Sequence, residues 1–527
     1  MKPYSGARLP VFWCACLVAA AGLLAIEMSF LTLPGIQQDE ALFLQPFLHG
    51  GSSLFSVAIG GSRLPVMLMD YIGCLKTWLY WPIFQIWHPG VWSIRLPVCI
   101  VSAGTLLVFA GLVRRVANGS VAFCAALLLG TDASFLFTNA FDWGPVALLL
   151  VGAVAFIALL VRSRRPQAKL ELAAAFLFAG VLLWYKTVFA FPLAGISIAF
   201  AVVFPRQVRR RLTPASLATA AASLLVGASP LLLFNVRTHG ATLAASSYLE
   251  RVPVAEKLTM MRLTLDGKAL EHYMFRSSPG EILPLHGAPL GQLVASWYAQ
   301  SSLGPGSFLF AALALSAGAL AFTKKSRLFR PIVFAWVAGI ATTAFMLAFR
   351  DAGAGPHHTV LVYPAPQFIV AATIAALAER LGGRLRRWVA IGAVGLVMSS
   401  NCVLLANYRR AALRNGFSVY WTDATRELAA DIRKAGKPAA FLDWGIEAGT
   451  RIESGDTVQV AAPDPPRTGI LYVTHCDGYR IDEAATSKIR GFAISHGLAM
   501  PGKTIVDSHG REIFFFFELR SDLVGRR

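Results

Sequence analysis

The stretch Leu33–Phe43, LPGIQQDEALF, sets two adjacent carboxylates, Asp39 and Glu40, between a long apolar run and a short one. No Lys or Arg lies within ten positions on either side, so nothing local neutralises the pair. Like charges side by side raise one pKa, which suits a general base, and the same pair can instead bind a cation. A structural alternative stands beside these: Asp39 as the N-cap of a helix starting near Ala41, with Glu40 in its first turn. One residue can cap and catalyse, so the cap takes little from the chemistry.

Other uncommon polar residues fall at or near the ends of apolar runs: Arg63, Asp70, Lys76, Asp142, Lys186, Arg237, Arg350, Asp351, His357 and His358. Ionisable groups at membrane depth are costly, which marks those that cannot reach water as candidates for function. Each also has a plainer reading. Arg237 and Arg350 snorkel to headgroups, as Lys76 could; Asp70 is a solvated position; Lys186 sits in a short polar turn. Asp142, in FDWGPVAL, precedes Gly144-Pro145 and suits an N-cap. His357 and His358 could supply a metal ligand, but neighbours on a helix point about 100° apart, so at most one faces a given site.

The elements that position these residues are membrane helices. The chain of 527 residues is 56% hydrophobic and 15% charged, with a mean hydropathy of +0.57. Runs long enough to cross a bilayer as helix, about 20 residues, recur along the first four fifths. A net charge of +19 would suggest nucleic acid in a soluble protein. Here the basic residues cluster between apolar runs, the pattern of cytoplasmic loops. Seven scattered cysteines with no CxxC indicate neither a zinc site nor a disulfide framework.

Counting from a cytoplasmic MKPYSGAR, a retained first span at about 10–33 delivers QQDEALF outside. Residues 34–91 read as an outer loop of interfacial helices, broken by Asp70, Lys76 and Pro82. Further spans follow at about 92–113, 120–137 and 145–162, a hairpin around WYKTVFAFP, then 214–235, an outer loop at 238–305, and 306–322, 330–349, 358–379 and 388–407. Each inside loop is basic, giving about eleven spans. From about 410 the composition changes. WTDATRELAADIRKAG has amphipathic helical spacing, and AAFLDWG, TVQVAAP, GILYVTH and EIFFFFEL read as strands. The expectation is a mainly α polytopic bundle, residues 1–409, with a small soluble α/β domain, 410–527, on the extracytoplasmic side.

The ordered motifs resemble the GT-C superfamily of polytopic glycosyltransferases, in the bacterial branch related to protein O-mannosyltransferases and the lipid A aminoarabinose transferase. They are Asp39-Glu40 after the first span, Arg95-Leu96-Pro97 opening the second, Asp142 in FDWGPVAL, and the stretches YIGCLKTWLYWPIF, LLWYKTVF and GPHHTVLVYPAPQ. They cover about residues 1–380, and the C-terminal part matches no family we name. The resemblance implies inverting transfer of a sugar from a polyprenyl-phosphate donor to an acceptor hydroxyl of a lipid, glycan or protein, in the bacterial inner membrane. It makes Asp39 the general base and gives Glu40 a part in orienting the acceptor, sharing the proton or holding a metal. Asp142 becomes a contact to acceptor or metal, and Lys76, Lys186 and Arg63 partners of the donor phosphate. A divalent ion stays open, with Glu40, His357 and His358 as its candidate ligands. The KPPL-like first-loop pattern of the aminoarabinose transferase is absent, so its substrate is not implied. Two other functions fit the sequence: a flippase of lipid-linked sugars, and a non-catalytic scaffold. Against the flippase, the polar residues gather at one face rather than the midplane, and no inverted repeat is visible.

Overall fold

Helix Leu9–Met28 holds one charged residue, Glu27, in twenty; at 1.5 Å per residue it is about 30 Å long and matches a bilayer core. The structure, a computed structural model, describes residues 9–51, 53–163, 169–248, 251–275, 303 and 306–521. Among them, five helices are long and apolar enough to cross a membrane: Leu9–Met28, Val91–Val116, Phe329–Ala348, Pro356–Ala378 and Arg384–Asn415. Three bent pairs raise the number to eight if each is one span, and Ala147–Arg162 and Leu309–Gly318 are shorter apolar helices. The bends have local causes. Asp132 caps the helix Ala133–Ala140 after a 63° turn. Prolines at the starts of Pro205–Arg211 and Ser229–Arg237 end the preceding helices, at 106° and 64°. Residues 276–302 of the 238–305 loop lie outside the described residues.

The segment 34–91 differs from the all-helical expectation. A three-stranded antiparallel sheet, β1 (Phe55–Ile59), β2 (Ser62–Met69) and β3 (Ile72–Gly73), precedes a single helix, Leu75–Ile86. Ile59 pairs with Ser62 across Gly60-Gly61, whose φ values of +55° and +82° are those of a tight two-residue hairpin turn. Val66 and Met67 of β2 are buried against Trp184 and Phe234. The helix Leu75–Ile86 buries Lys76, Thr77 and Tyr80 on one face and exposes Leu79, Trp81 and Ile86 on the other. That apolar exposed face suits a bilayer interface.

The first helix also stops at Met28 rather than 33, and the chain runs unwound to Gln37. Beyond helix Gly383–Asn415, the C-terminal residues build a four-stranded sheet in the order β4 (Ala439–Phe441), β5 (Leu471–His475), β7 (Glu512–Glu518), β6 (Gly502–Val506). β4 and β5 are parallel, and the other pairs antiparallel. Helices Ala424–Ala435, Ile446–Glu453 and Glu483–Ser495 complete the unit. TVQVAAP contributes one bridge, Val460 to Ala439, instead of a strand. The unpredicted β6 exists because the phenylalanine-rich β7 offers it a full edge: Thr504 pairs with Phe515 and Ile505 with Phe514.

Candidate active site

The unwound segment after Met28 is shaped by one arginine from another helix. Arg95, on Val91–Val116, is fully buried and donates to the backbone carbonyls of Leu31, Pro34 (3.1 Å) and Gly35 (2.6 Å). Its remaining N–H groups meet Glu40: Nε to Oε1 at 2.6 Å and a terminal nitrogen to Oε2 at 2.7 Å. Its guanidinium lies 4.8 Å from the centre of the Phe141 ring. Carbonyls that a continuing helix would use thus end on a guanidinium, which is why the first helix stops short.

Downstream, Gln37 caps the short helix Gln38–Leu42. Its side chain accepts the Asp39 N–H at 2.5 Å, and Glu40 Oε2 accepts the Gln37 N–H at 3.0 Å. This corrects the capping alternative: the helix begins before Ala41, the cap is Gln37, and the Asp39 carboxylate is left free of that duty. Glu40 is 1% exposed, with both oxygens engaged, whereas Asp39 stays half-buried. The adjacent carboxylates have divided into an anchor and an available acid-base group.

Asp142 and Lys76 form a buried ion pair, Nζ to Oδ2 at 2.6 Å, each 1% exposed. The other Asp142 oxygen accepts the N–H of Ala147, first residue of helix Ala147–Arg162, at 2.9 Å; the N-cap position is Val146, so Asp142 supports the helix start from five residues upstream and is not its cap. Asp142 holds φ +43°, a left-handed conformation costing on the order of 1 kcal/mol outside glycine, which these contacts over-determine. The Lys76 ammonium also lies 4.8 Å and 5.4 Å from the Phe43 and Tyr80 ring centres.

Lys186 occupies the turn after helix Lys169–Tyr185. The hairpin holds that turn in place: Thr187 N–H donates to the Tyr71 carbonyl at 3.1 Å, and Trp184 Nε1 donates to the Val66 carbonyl at 3.0 Å. Lys186 Nζ donates to the Gly144 carbonyl at 2.6 Å and interacts electrostatically with Asp39, Asp142 and Asp351. Gly144 has φ +64°, and a Cβ there would fall 2.4 Å from the His357 ring. His357 packs on Trp143, ring centres 5.2 Å apart, and on His358 at 4.2 Å. His358 Nδ1 accepts the Gly353 N–H at 3.3 Å. Tyr273 and Trp421 complete the aromatic wall around Trp143.

Burial raises the Asp39 pKa above the usual carboxylate range. The Lys186 charge and the Gly144 N–H pull it back, and the charges of Glu40 and Asp142 add to the rise. Burial lowers Lys186 to about 8 against the opposing pull of Asp39, Asp142 and Asp351. A carboxylate pushed upward is a stronger base, and it sits beside a cation that can still be charged at neutral pH.

The structure therefore brings together Asp39, Lys186, Asp142, Lys76 and His357 through Gly144 and its neighbours. It leaves Arg63 exposed at the hairpin tip, opposite Ala58. Glu40, His357 and His358 form no common ligand set: among the described residues no group of three or more His, Cys, Asp or Glu is placed to hold a metal ion. The Glu40 oxygens are already taken by Arg95 and Gln37, so the donor set does not fit a divalent ion. Sequence reasoning missed the role of Arg95, though RLP was noted, because nothing local links it to Glu40, fifty-five positions away. It also passed over Asp351 as a partner of Lys186.

No family model and no curated protein matches the chain by sequence. Its structure is similar to that of ArnT from Cupriavidus metallidurans, a lipid A aminoarabinose transferase. Against the crystal structure bound to undecaprenyl phosphate, identity is 15% and TM-score 0.57, covering 96% of this chain and 98% of that one. Against the apo state the values are 14%, 0.58, 97% and 98%. An Archaeoglobus fulgidus oligosaccharyltransferase tethered with an acceptor peptide containing the NVT sequon is similar at 11% identity and TM-score 0.52, over 86% of this chain and 64% of that one. At such identities the likeness is one of fold. The chain shares its overall fold with these proteins.

Proposed function

We propose that this chain of GT-C fold is a membrane glycosyltransferase that moves a sugar from a polyprenyl-phosphate carrier to an acceptor hydroxyl of a lipid, glycan or protein. The observation that carries the reading is the division of labour at the acidic pair. Glu40 is locked to Arg95, while Asp39 is half-exposed beside Lys186, with its pKa raised by burial. In the reaction, the acceptor oxygen attacks the anomeric carbon as the bond from that carbon to the phosphate oxygen breaks. The electron pair leaves with the polyprenyl phosphate, the hydroxyl proton passes to Asp39, and the anomeric configuration inverts. Lys186 stabilises the charge growing on the departing phosphate.

Asp142 and Lys76 neutralise each other, and in this reading they serve as a buried support. Asp142 fixes the start of helix Ala147–Arg162 and, through the Gly144 turn, the carbonyl that Lys186 grips. Arg63, exposed on the hairpin, would meet phosphates only at the membrane surface. The two histidines shape the wall beside Gly144.

A mainly apolar cavity of about 460 Å³, whose lining also includes Arg115, Gln207, Arg327 and Arg330 beside the basic inner loops, supports an apolar ligand. It lies among helices Val91–Val116, Ala147–Arg162, Ala190–Val203 and Phe329–Ala348 and reaches Leu361 and Tyr363, the first turns after His358. The alternating basic loops support about eleven spans in a bacterial inner membrane, with the N-terminus in the cytoplasm and residues 410–527 as an extracytoplasmic α/β domain.

The test is transfer in vitro from a panel of polyprenyl-phosphate sugars, wild type against Asp39→Asn. A loss of about 10²–10⁴-fold in the variant is the expected result for removal of a general base. Normal transfer by Asp39→Asn removes the base assignment. Translocation of donors without transfer would replace the enzyme by a flippase.

A further inference from the structure

The segment that bears Asp39 is held from two sides. From below, Arg95 and Glu40 fasten it to a membrane helix. From above, the C-terminal unit grips it at both ends and along its middle.

At the near end, the Gly35 N–H donates to the Trp421 carbonyl at 2.9 Å, and Arg426 reaches the Thr32 carbonyl at 3.3 Å. The approach at Gly35 is so close that a Cβ would fall 1.8 Å from the Thr422 carbonyl oxygen. At the far end, the main chain of His49 is held by both its groups. Its N–H donates to Asp456, and its carbonyl accepts from Arg451 at 2.7 Å. Arg451 and Asp456 are joined, Nε to Oδ1 at 2.8 Å, and Arg451 is 7% exposed. Between the two ends, Ile36, Ala41, Leu44 and Leu48 bury their side chains against Ala448 and Ile452 of helix Ile446–Glu453.

We propose that the C-terminal unit is a working part of the transfer centre, and that Arg451 and Asp456 are positioning residues that set Asp39 through the 35–49 segment. The inference rests on the reading of Asp39 as the base. A base acts only within about 2.6–3.2 Å of the proton it removes, and a displacement of about 1 Å costs on the order of 10²-fold in rate. The helix Gln38–Leu42 has five residues and cannot hold its own geometry. Its position comes from what grips it, and two of the grips, at His49 and Gly35, belong to residues more than 380 positions away in the chain.

The experiment is amide hydrogen exchange on the full chain in lipid nanodiscs, with no substrate, for wild type, Arg451→Met, Arg451→Lys and Asp456→Asn. Asp456 holds φ +59°, which Asn tolerates, so its variant keeps the turn and loses the charge. Arg451→Met should speed exchange at residues 38–49 by about tenfold, as the loss of charge-assisted hydrogen bonds implies. Exchange in β5 and β7 should stay as in wild type, and Arg451→Lys should restore part of the protection. In the donor-panel assay the same variant should lower kcat by about 10- to 100-fold with little change in KM for donor.

Unchanged exchange at 38–49 in Arg451→Met overturns the proposal, because the segment is then held without the C-terminal unit. Loosening of β5 and β7 in both Arg451→Met and Asp456→Asn also overturns it, because the two residues then only hold their own unit together. The exchange measurement uses no substrate, so it stands even if Asp39→Asn proves active, and the two failures are told apart.

Discussion

Glu40 and Arg95 offer a quantitative test of whether the second carboxylate of the acidic pair is scaffold or chemistry. Both side chains are essentially inaccessible, at 1% and 0% exposure, and share two hydrogen bonds of 2.6 and 2.7 Å. Glu40→Gln keeps the shape and can still accept the Gln37 N–H, but leaves the guanidinium buried without a counter-charge. Breaking one side of such a pair costs about 3–5 kcal/mol. Arg95→Met costs a similar amount, because it strands a buried carboxylate and removes three donors to the carbonyls of Leu31, Pro34 and Gly35. Additivity would put the double variant at about 6–10 kcal/mol. Removing both charges together takes away the stranded ion, leaving mainly the unpaired carbonyls at about 1 kcal/mol each or somewhat more. The double variant should therefore cost about 3–5 kcal/mol, a coupling of at least about 1 kcal/mol. Unfolding of the four proteins in mixed micelles, followed by tryptophan fluorescence, measures the cycle. Additive effects within about 0.5 kcal/mol would refute the scaffold role. So would a Glu40→Gln protein as stable as wild type but inactive, since Glu40 would then act on the substrate.

Transfer should depend on pH with two limbs. Asp39 must be ionised to accept a proton, and its raised pKa moves the acid limb above the range of an ordinary carboxylate; Lys186 must be charged to oppose the leaving phosphate, and its lowered pKa puts the alkaline limb near 8. Rates from pH 4 to 10 check this, and a flat profile above pH 7 would remove Lys186 from the reaction. Lys186→Met should lower kcat by about 10²-fold or more, as for loss of one group that stabilises developing charge, and Lys186→Arg should recover only part, because a planar fork does not reproduce a point charge in a closed turn. Gly144→Ala should destabilise the protein by at least 1–3 kcal/mol, about the cost of a strained left-handed residue, because its Cβ also meets the His357 ring; a thermal melt like that of wild type would show that the His357 wall can yield.

Much of this protein is legible in one dimension. Twenty apolar residues with a single charge can satisfy their backbone in lipid only as a helix, so Leu9–Met28 and its counterparts are written directly into composition. Basic residues between the runs set an expected sidedness, and with it the grouping of Asp39, Lys76, Asp142 and Lys186 at one face. The hairpin β1–β2 was legible too, in Gly60-Gly61 between alternating residues, but the surrounding hydrophobicity suggested interfacial helix. Local pattern reports period and polarity, and a short strand in an apolar setting resembles a helix by both.

The difference between the two carboxylates of the acidic pair arises elsewhere. Asp39 and Glu40 are chemically alike and adjacent, and no local rule separates them. Arg95 separates them, because a buried guanidinium must find its counter-charge and the cap at Gln37 turns Glu40, not Asp39, toward it. Likewise Lys76 and Lys186 look alike as lysines near an outer surface. One is neutralised by Asp142 in a closed pair, while the other donates to a backbone carbonyl and keeps its charge for Asp39. The sequence set the expectation of which residues share one face, since lipid imposes spans one helix at a time. Only the tertiary structure decided which charge meets which, because pairing energies in a buried site depend on distances between segments that the chain does not place side by side.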